Sequence, residues 1–276
     1  MIKLSYCDNK GVRLLHRRIE TSHFPDGTLL LKTENINFKE PIVIEWFYES
    51  DEELFTIICL AKKARNEKKL FMPYCPHARQ DRVKYSDDVF TLKYFADVIN
   101  SLGFDSVYVL DPHSSVSEAL IDNILIEDPS KYIGNVIAGH FLNDIDSDNF
   151  ILCFPDAGSM KRYANMFPNK YIYGNKMRTW ETGEIIGTEI VNPFNVDLNG
   201  KTILIIDDIC SKGTTFVKTA EALKTYNVGE VYLWVTHCEN TILNGQVLTS
   251  GLIKRVFTTN SIFTKIHEKI TVFHLN

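Results

Sequence analysis

Two adjacent carboxylates, Asp207 and Asp208, follow an apolar run at residues 203–206, and a short polar loop comes directly after them. The members of that loop are Ser211, Lys212, Gly213, Thr214 and Thr215. An apolar-periodic segment that predicts a helix begins at the end of the loop. Carboxylates accept hydrogen bonds from sugar hydroxyls, while loop amides and a helix N-terminus favour an anion. The pattern therefore predicts a site for a 5-phosphorylated ribose, with the carboxylates on its diol.

A second segment combines two arginines with an acid directly after a predicted strand at residues 69–72. Its members are Arg79, Gln80, Asp81 and Arg82. Guanidinium groups pair with phosphate oxygens in a fixed fork, so the segment is suited to a polyphosphate. Taken alone, the same residues also fit a solvated loop held by an Arg–Asp ion pair. The loop at residues 211–215 is called the ribose loop below. Only the combination of the arginine segment with the ribose loop favours a role in polyphosphate binding.

Four shorter motifs accompany these two segments. They are Phe24 and Asp26 in a Phe-Pro-Asp-Gly turn, His113 after a strand ending at Leu110, Asp156 and Gly158 between a predicted strand and helix, and Lys176 and Arg178 in a polar stretch. A Pro-Asp-Gly sequence predicts a hairpin turn, which can present the aromatic side chain. A glycine after an aspartate lets the backbone approach a phosphate closely.

The run at residues 203–216 resembles the phosphoribosyl-diphosphate (PRPP) motif of phosphoribosyltransferases and PRPP synthetases. The Ala-Arg-Gln-Asp-Arg sequence at residues 78–82 resembles the ATP-binding segment of the synthetases, which phosphoribosyltransferases lack. The resemblance extends from about Phe24 to about Thr258. The sequence is accordingly identified as a diverged, short member of the ribose-phosphate pyrophosphokinase (PRPP synthetase) family. The resemblance implies transfer of the β,γ-diphosphate of MgATP to the anomeric hydroxyl of a 5-phosphorylated ribose, with release of AMP.

The resemblance also implies a role for each motif. ATP would be bound by Phe24, Asp26, Arg79, Gln80, Asp81, Arg82 and His113. Mg²⁺ would be held by His113 and Asp156, and the diphosphate by Asp156 and Gly158. Lys176 and Arg178 would act as catalytic residues on a mobile loop or loose hairpin, where two cations stabilise the developing charge.

The ribose loop departs from the family pattern, because Ser211 stands where the family has Asp and Lys212 where it has Thr. One negative charge is lost and one positive charge is gained beside the expected 5-phosphate. Two acceptors therefore stay open: ribose 5-phosphate, and ADP-ribose, whose pyrophosphate would serve NAD salvage. Two other readings also stay open, a phosphoribosyltransferase that consumes PRPP and a catalytically inactive regulatory homologue.

Strand and helix patterns alternate along most of the chain, which predicts an α/β fold with parallel sheets flanked by helices. The element order is similar in the two halves. We therefore expect two related α/β domains, residues 1–138 and 139–276. The resemblance implies that both are phosphoribosyltransferase-like, with the active site between them.

Composition narrows the function class further. The net charge of −5 gives no basic surface for nucleic acid, and no apolar run approaches the length needed to span a membrane. The six cysteines include no CxxC pair, so free thiols in a reducing cytoplasm are expected. The resemblance implies a homo-oligomer, a dimer or larger.

Overall fold

The computed structural model describes residues 1–7, 13–34, 36–146, 148–178 and 185–275, and it divides the chain into two compact units. The units are Met1–Asp128 and Pro129–Asn276. The division thus falls at residue 128 and not at the predicted residue 138. The reason is the helix Ser130–His140, which was expected to lie mostly in the first domain. Its residues Ile133, Val136 and Ile137 pack into the core of the second unit.

The first unit is built on a six-stranded sheet with the order β2-β1-β5-β6-β7-β8. Strands β5 to β8 are parallel, and β1 pairs antiparallel with both β2 and β5. Its strands are β1 (Ile2–Cys7), β2 (Arg13–Arg18), β5 (Ile42–Trp46), β6 (Lys68–Phe71), β7 (Ser106–Leu110) and β8 (Ile124–Glu127), and its helices are α1 (Glu53–Lys63), α2 (Thr91–Ser101) and α3 (Val116–Leu120). A separate hairpin consists of β3 (Thr21–His23) and β4 (Leu29–Leu31).

The second unit is built on a seven-stranded sheet with the order β11-β10-β9-β12-β13-β14-β15. Among the strands that the structure describes in this sheet, only the pair β10–β11 is antiparallel. Its helices are α4 (Ser130–His140), α5 (Leu142–Asp146), α6 (Ala157–Tyr163) and α7 (Thr214–Lys224). Its strands are β9 (Phe150–Phe154), β10 (Tyr171–Arg178), β11 (Ile185–Val191), β12 (Thr202–Cys210), β13 (Val231–Cys238), β14 (Arg255–Thr259) and β15 (Ile270–Phe273). The predicted α/β fold with parallel-rich sheets is confirmed.

Strand β12 lies at the centre of the second sheet and is covered on both faces. Ile203 and Ile205 belong to one buried cluster, while Leu204 and Ile206 belong to a second cluster. Side chains of a strand alternate between the two faces of its sheet, so a strand buried on both faces needs an unbroken apolar run. That requirement explains the continuous apolar sequence at residues 203–206.

The polar run at residues 143–148 overlaps the short helix α5, Leu142–Asp146. The segment of Lys176 and Arg178 was expected to be a mobile loop or loose hairpin. It contains β11 and the second half of β10, which pair as an antiparallel hairpin. Residues 179–184 lie outside the described part of the chain.

The described residues contain no helix that is both long enough and apolar enough to cross a bilayer. Five cysteines are free thiols: Cys59, Cys75, Cys153, Cys210 and Cys238.

Candidate functional site

The ribose loop and the Asp156 segment meet at the carboxyl ends of the neighbouring strands β9 and β12. These strands are parallel and in register at Cys153 and Ile205. The chain runs from β9 through α6 to β10 on one side, and β12 continues the sheet on the other side. Such a reversal of strand order leaves a crevice outside the strand ends, where open α/β sheets bind ligands. The topology of the second unit therefore places both predicted segments at one crevice.

Asp156 is fixed as the N-cap of helix α6. Its Oδ1 accepts hydrogen bonds from the amides of Gly158 and Ser159, at 3.0 and 3.1 Å. A β-region backbone at Asp156 and a carboxylate on the first turn are the ordinary way to satisfy open helix amides. Gly158 also fits tightly here, because a Cβ built on it would lie 3.1 Å from Asp156 Oδ1. Capping is thus an observed role of Asp156.

Asp207 is tied to helix α6 through Ser159, whose hydroxyl donates to Asp207 Oδ1 at 2.7 Å. The amide of Asp208 donates to the same oxygen at 3.0 Å. Burial, together with the neighbouring Asp208 carboxylate, raises the pKa of Asp207 well above its usual range. Both acids lie within strand β12, which continues to Cys210, and do not follow its end as the sequence suggested.

Asp208 is buried and faces a cation. Its Oδ2 lies 3.5 Å from Nη1 of Arg162, whose side chain is 26% exposed. The guanidinium also packs over the ring of Tyr163, at 5.5 Å from the ring centroid. The two adjacent acids thus differ, because Asp207 faces a hydroxyl and Asp208 faces a positive charge. Sequence reasoning does not single out Ser159 or Arg162; their three-residue spacing on α6 is the one signal that could have found them.

The loop after β12 presents open backbone amides at the start of helix α7. Gly213 is its N-cap, with a φ of 76°, and no side chain caps the helix. Within the described part of the chain, the amides of Lys212, Gly213, Thr214 and Thr215 donate to no protein atom. Lys212, Thr214 and Thr215 are exposed. Open amides at a helix N-terminus are suited to an anion, and the anion site expected here from the sequence stays a prediction.

The first unit brings the arginine segment and the residues after β7 together. Asp81 is 6% exposed and pairs with Arg82 through Oδ1–Nε and Oδ2–Nη2 contacts of 2.7 and 2.9 Å. The hydrogen bond from Arg82, aided by one from Ser114 and by the charge of His113, lowers the pKa of Asp81 to about 2. Asp81 therefore links Arg82 to the segment that contains His113.

Gln80 and Arg79 occupy different surroundings. The side chain of Gln80 accepts a hydrogen bond from the Thr91 hydroxyl at 2.8 Å, and its carbonyl accepts from the amide of Leu92 at 3.4 Å. Gln80 thus supports the start of helix α2, which begins at Thr91. Arg79 is exposed. Arg79, Gln80 and Asp81 are consecutive in the same loop.

Phe24 and Asp26 lie at the tip of the β3–β4 hairpin. The amide of Gly27 donates to Phe24 O at 2.9 Å, and Gly27 has a φ of 84°, so the predicted turn is present. Asp26 Oδ1 accepts from the amide and the hydroxyl of Thr28, which lowers the pKa of this exposed acid. Phe24 is 49% exposed, so its ring is presented to solvent.

Lys176 and Arg178, expected on a mobile loop or loose hairpin, lie on strand β10 of the β10–β11 hairpin. Lys176 pairs with Thr188 and Arg178 pairs with Ile185 in the β10–β11 hairpin, with a register shift between Met177 and Arg178. Strands β11 and β10 lie at one edge of the seven-stranded sheet, and a hairpin in that position can extend beyond the sheet.

The predicted metal ligands do not form a preformed cage. Among the described residues no cluster of three or more His, Cys, Asp or Glu side chains could hold a metal ion. His113 and Asp156 belong to different units. Mg²⁺ commonly uses one or two carboxylates and takes its other ligands from water and substrate phosphates, so carboxylates such as Asp156 fit this ion without a cage.

Comparisons with known proteins cover nearly the whole chain. Over 256 residues the chain is 27% identical to the ribose-phosphate pyrophosphokinase of Thermococcus kodakarensis, covering 90% of this chain and 84% of the relative. It is 28% identical over 261 residues to the ribose-phosphate pyrophosphokinase of Pyrococcus abyssi, with coverages of 92% and 87%. The phosphoribosyl transferase domain family matches residues 157–272.

A solved structure shares the fold. The crystal structure of phosphoribosylpyrophosphate synthetase from Mycobacterium smegmatis superposes with a TM-score of 0.74, covering 93% of this chain and 86% of that chain. The two sequences are 18% identical, so this likeness concerns the fold alone.

Proposed function

Because this chain belongs to the ribose-phosphate pyrophosphokinase family, we propose that it is an enzyme that transfers the β,γ-diphosphate of ATP to a 5-phosphorylated ribose. The anomeric oxygen attacks the β-phosphorus, the bond from that phosphorus to the α–β bridging oxygen breaks, and AMP leaves. The proton of the anomeric hydroxyl passes to solvent. One observation supports the proposal above the others: each unit has an arrangement suited to phosphate, the open amides of residues 212–215 in the second unit and the Arg82 guanidinium oriented by Asp81 in the first.

The acceptor is assigned to the second unit. Asp207 and Asp208 accept hydrogen bonds from the ribose diol, and Arg162, whose Nη1 lies 3.5 Å from Asp208 Oδ2, orients Asp208 for that role. The open amides at the start of α7 bind the 5-phosphate, with Lys212 adding a positive charge. Positioning of this kind supplies most of the catalysis in phosphoryl transfer, which needs little proton transfer.

The donor is assigned to the first unit. Arg82, oriented by Asp81, pairs with the polyphosphate, and Arg79 and His113 add contacts from the same unit. Phe24 and Asp26 contact the adenine from the hairpin tip. His113 in the first unit and Asp156 in the second unit are each proposed as ligands of Mg²⁺, which would neutralise the phosphates and orient them. Gly158 lets the backbone approach the diphosphate.

Lys176 and Arg178 are proposed to stabilise the charge that develops at the transferred phosphorus. The basis is their resemblance to the paired cations of the family, together with their position on the β10–β11 hairpin. Cations that act only on the transition state raise kcat and affect the affinity for substrate little.

The acceptor is either ribose 5-phosphate or ADP-ribose, which share the phosphorylated ribose. Lys212 is exposed on the loop. A cation there favours an acceptor whose ribose 5-substituent has more negative charge or greater length than a phosphomonoester. A diphosphate linkage satisfies this description, and it would give the enzyme a role in NAD salvage. The simpler alternative is that Lys212 pairs with an ordinary 5-phosphate.

One mass-spectrometric assay tests the function and separates the acceptors. The protein is incubated with MgATP and either ribose 5-phosphate or ADP-ribose, and the products are examined for AMP and an acceptor heavier by one diphosphate. Product from either acceptor supports the pyrophosphokinase. The absence of product from both, with PRPP consumed when a base is supplied, would instead support the phosphoribosyltransferase.

The variant Lys212→Thr tests what selects the acceptor. If charge decides, its preference should shift toward ribose 5-phosphate by about tenfold, the effect of roughly 1.4 kcal/mol. Lys218→Thr is the matched control, because Lys218 is an exposed lysine on α7 outside the loop. An unchanged preference in Lys212→Thr would contradict the charge argument and leave the diphosphate transfer itself standing.

A further inference from the structure

The segment that follows strand β13 is packed against the ribose loop. The amide of Glu239 donates to the carbonyl of Cys210 at 2.8 Å, and a 3₁₀ turn, Asn240–Asn244, comes next. A Cβ built on Gly245 would lie 2.0 Å from the carbonyl oxygen of Lys212. The backbones of the two segments thus touch where only glycine fits. The second unit holds the loop in one conformation through this segment.

Two hydroxyls connect the loop to a carboxylate on that segment. The Thr241 hydroxyl donates to Glu239 Oε2 at 3.0 Å. The hydroxyls of Ser211 and Thr241 lie 3.1 Å apart. A hydroxyl has one hydrogen to donate, and a carboxylate can only accept. Because Thr241 gives its hydrogen to Glu239, Ser211 must be the donor to Thr241.

This Ser211–Thr241–Glu239 relay fixes what Ser211 can offer a ligand. Its hydrogen is directed away from the loop, so its oxygen presents only lone pairs to a bound molecule. A phosphate oxygen also presents only lone pairs and gains nothing from such a partner. A sugar hydroxyl, which can donate, is the group that matches. The anion is left to the amides of residues 212–215, which are open in the described structure.

We propose that Thr241 and Glu239 are positioning residues for the acceptor: they hold Ser211 as a hydrogen-bond acceptor for a sugar hydroxyl and not as a donor to phosphate. The proposal rests on the proposed function, since it assigns the acceptor to this loop. It deepens that function by separating the loop into a hydroxyl-recognising position at Ser211 and an anion-binding part after it. At Ser211 the family pattern has Asp, and Glu239 provides a carboxylate that is connected to Ser211 through Thr241.

The test compares binding of a sugar phosphate with binding of phosphate alone. Dissociation constants for ribose 5-phosphate, ADP-ribose and inorganic phosphate are measured by calorimetry without ATP, for the wild type, Thr241→Val and Glu239→Gln. Valine keeps the shape of threonine and removes the hydroxyl, whereas glutamine can donate and so reverse the relay. Both variants should bind the sugar acceptor about two- to tenfold more weakly, the worth of one hydrogen bond, with phosphate binding unchanged or tighter.

Two control variants separate the relay from simple packing. Thr241→Ser keeps the hydroxyl and should bind like the wild type. Thr264→Val removes a neighbouring hydroxyl, which accepts from Asn240 Nδ2 at 2.9 Å on the same turn but has no part in the relay. It should leave the ratio of sugar to phosphate affinity unchanged.

Each outcome decides the matter. Equal loss of sugar and phosphate binding in Thr241→Val and Glu239→Gln would overturn the proposal, because the relay would then serve only the shape of the loop. No change in either variant would also overturn it. A wild type that binds neither sugar acceptor would remove the proposed function as well, so that failure is distinguishable from failure of the relay alone.

Discussion

Substituting Gly213 with alanine should disturb the ribose loop through two separate physical effects. Gly213 has a φ of +76°, and a left-handed backbone costs a residue with a Cβ about 1–2 kcal/mol. Its Cβ would also lie 2.1 Å from Val247 Cγ2 and 3.3 Å from Cys210 Sγ. Both neighbours are buried, and forcing an extra carbon into a packed core costs about 1–3 kcal/mol. The expected total is about 2–5 kcal/mol.

Thermal unfolding measures this loss of stability, and Gly200→Ala is the matched control. Gly200 has a φ of +71°, yet no heavy atom lies within 4 Å of a Cβ built on it. The control therefore reports the backbone cost alone, at about 1–2 kcal/mol. At about 2–4 °C per kcal/mol for a unit of this size, the melting temperature of Gly213→Ala should fall about 4–20 °C, and further than that of Gly200→Ala.

A double substitution isolates the contact with Val247. Val247→Ala alone should destabilise the protein, because Val247 is fully buried. Combined with Gly213→Ala, it removes the methyl group that the new Cβ would meet. The double variant should therefore lose about 1–3 kcal/mol less than the sum of the two single variants. Equal losses in Gly213→Ala and Gly200→Ala, with additive behaviour of the double variant, would refute the close approach at Gly213.

Three further predictions follow from the site. Asp207→Asn should raise the free energy of unfolding near neutral pH by roughly 1–3 kcal/mol and reduce acceptor binding. The reason is that the pKa of the Asp207 carboxyl is raised, so that stability falls as pH rises through that pKa. Urea unfolding measured against pH checks this, and a pH-independent difference from the wild type would contradict it. The Asp81 carboxylate, with a pKa of about 2, should contribute stability that is present above its unfolded pKa and is lost as pH falls toward about 2. In Asp81→Asn the free energy of unfolding should therefore fall less steeply at acid pH. An unaltered acid dependence would exclude Asp81 as its source. Lys176→Ala and Arg178→Ala should lower kcat by about a hundredfold or more with little change in KM, as steady-state kinetics would measure, and near-normal turnover in both would remove their catalytic role.

Strand β12 and helix α7 show best what the sequence alone could predict. Their signals are local: an unbroken apolar run, then two acids, then a glycine before a periodic segment. Each of these signals reflects a requirement of one strand or one helix end. Those signals predicted the α/β fold and the open amides at residues 212–215. The same local reasoning identified the Asp156 segment and the Pro-Asp-Gly turn.

Local signals were insufficient where a residue acts through a partner distant in the chain. The hydrogen bond from Ser159 to Asp207 joins residues 48 apart, and that from Ser211 to Thr241 joins residues 30 apart. Neither spacing has a period that a sequence displays, because both contacts depend on which strands become neighbours in the sheet. The same limit explains why helix α4 was divided between two domains, since its apolar residues do not indicate which core they join.

The sequence by itself determined which residue types are present, and from them it predicts the class of chemistry: two carboxylates for a sugar diol, a glycine-containing loop for an anion, and arginines for a polyphosphate. The tertiary structure alone decided how these groups are prepared. The order of strands β9 and β12 brings helix α6 to the paired acids, so that one faces a hydroxyl and the other an arginine. The pairing of β12 with β13 brings Glu239 and Thr241 beside Ser211, and their hydroxyl and carboxylate set the direction of the Ser211 hydrogen bond. Residue types set which interactions are possible, and the packing of distant segments selects which of them form.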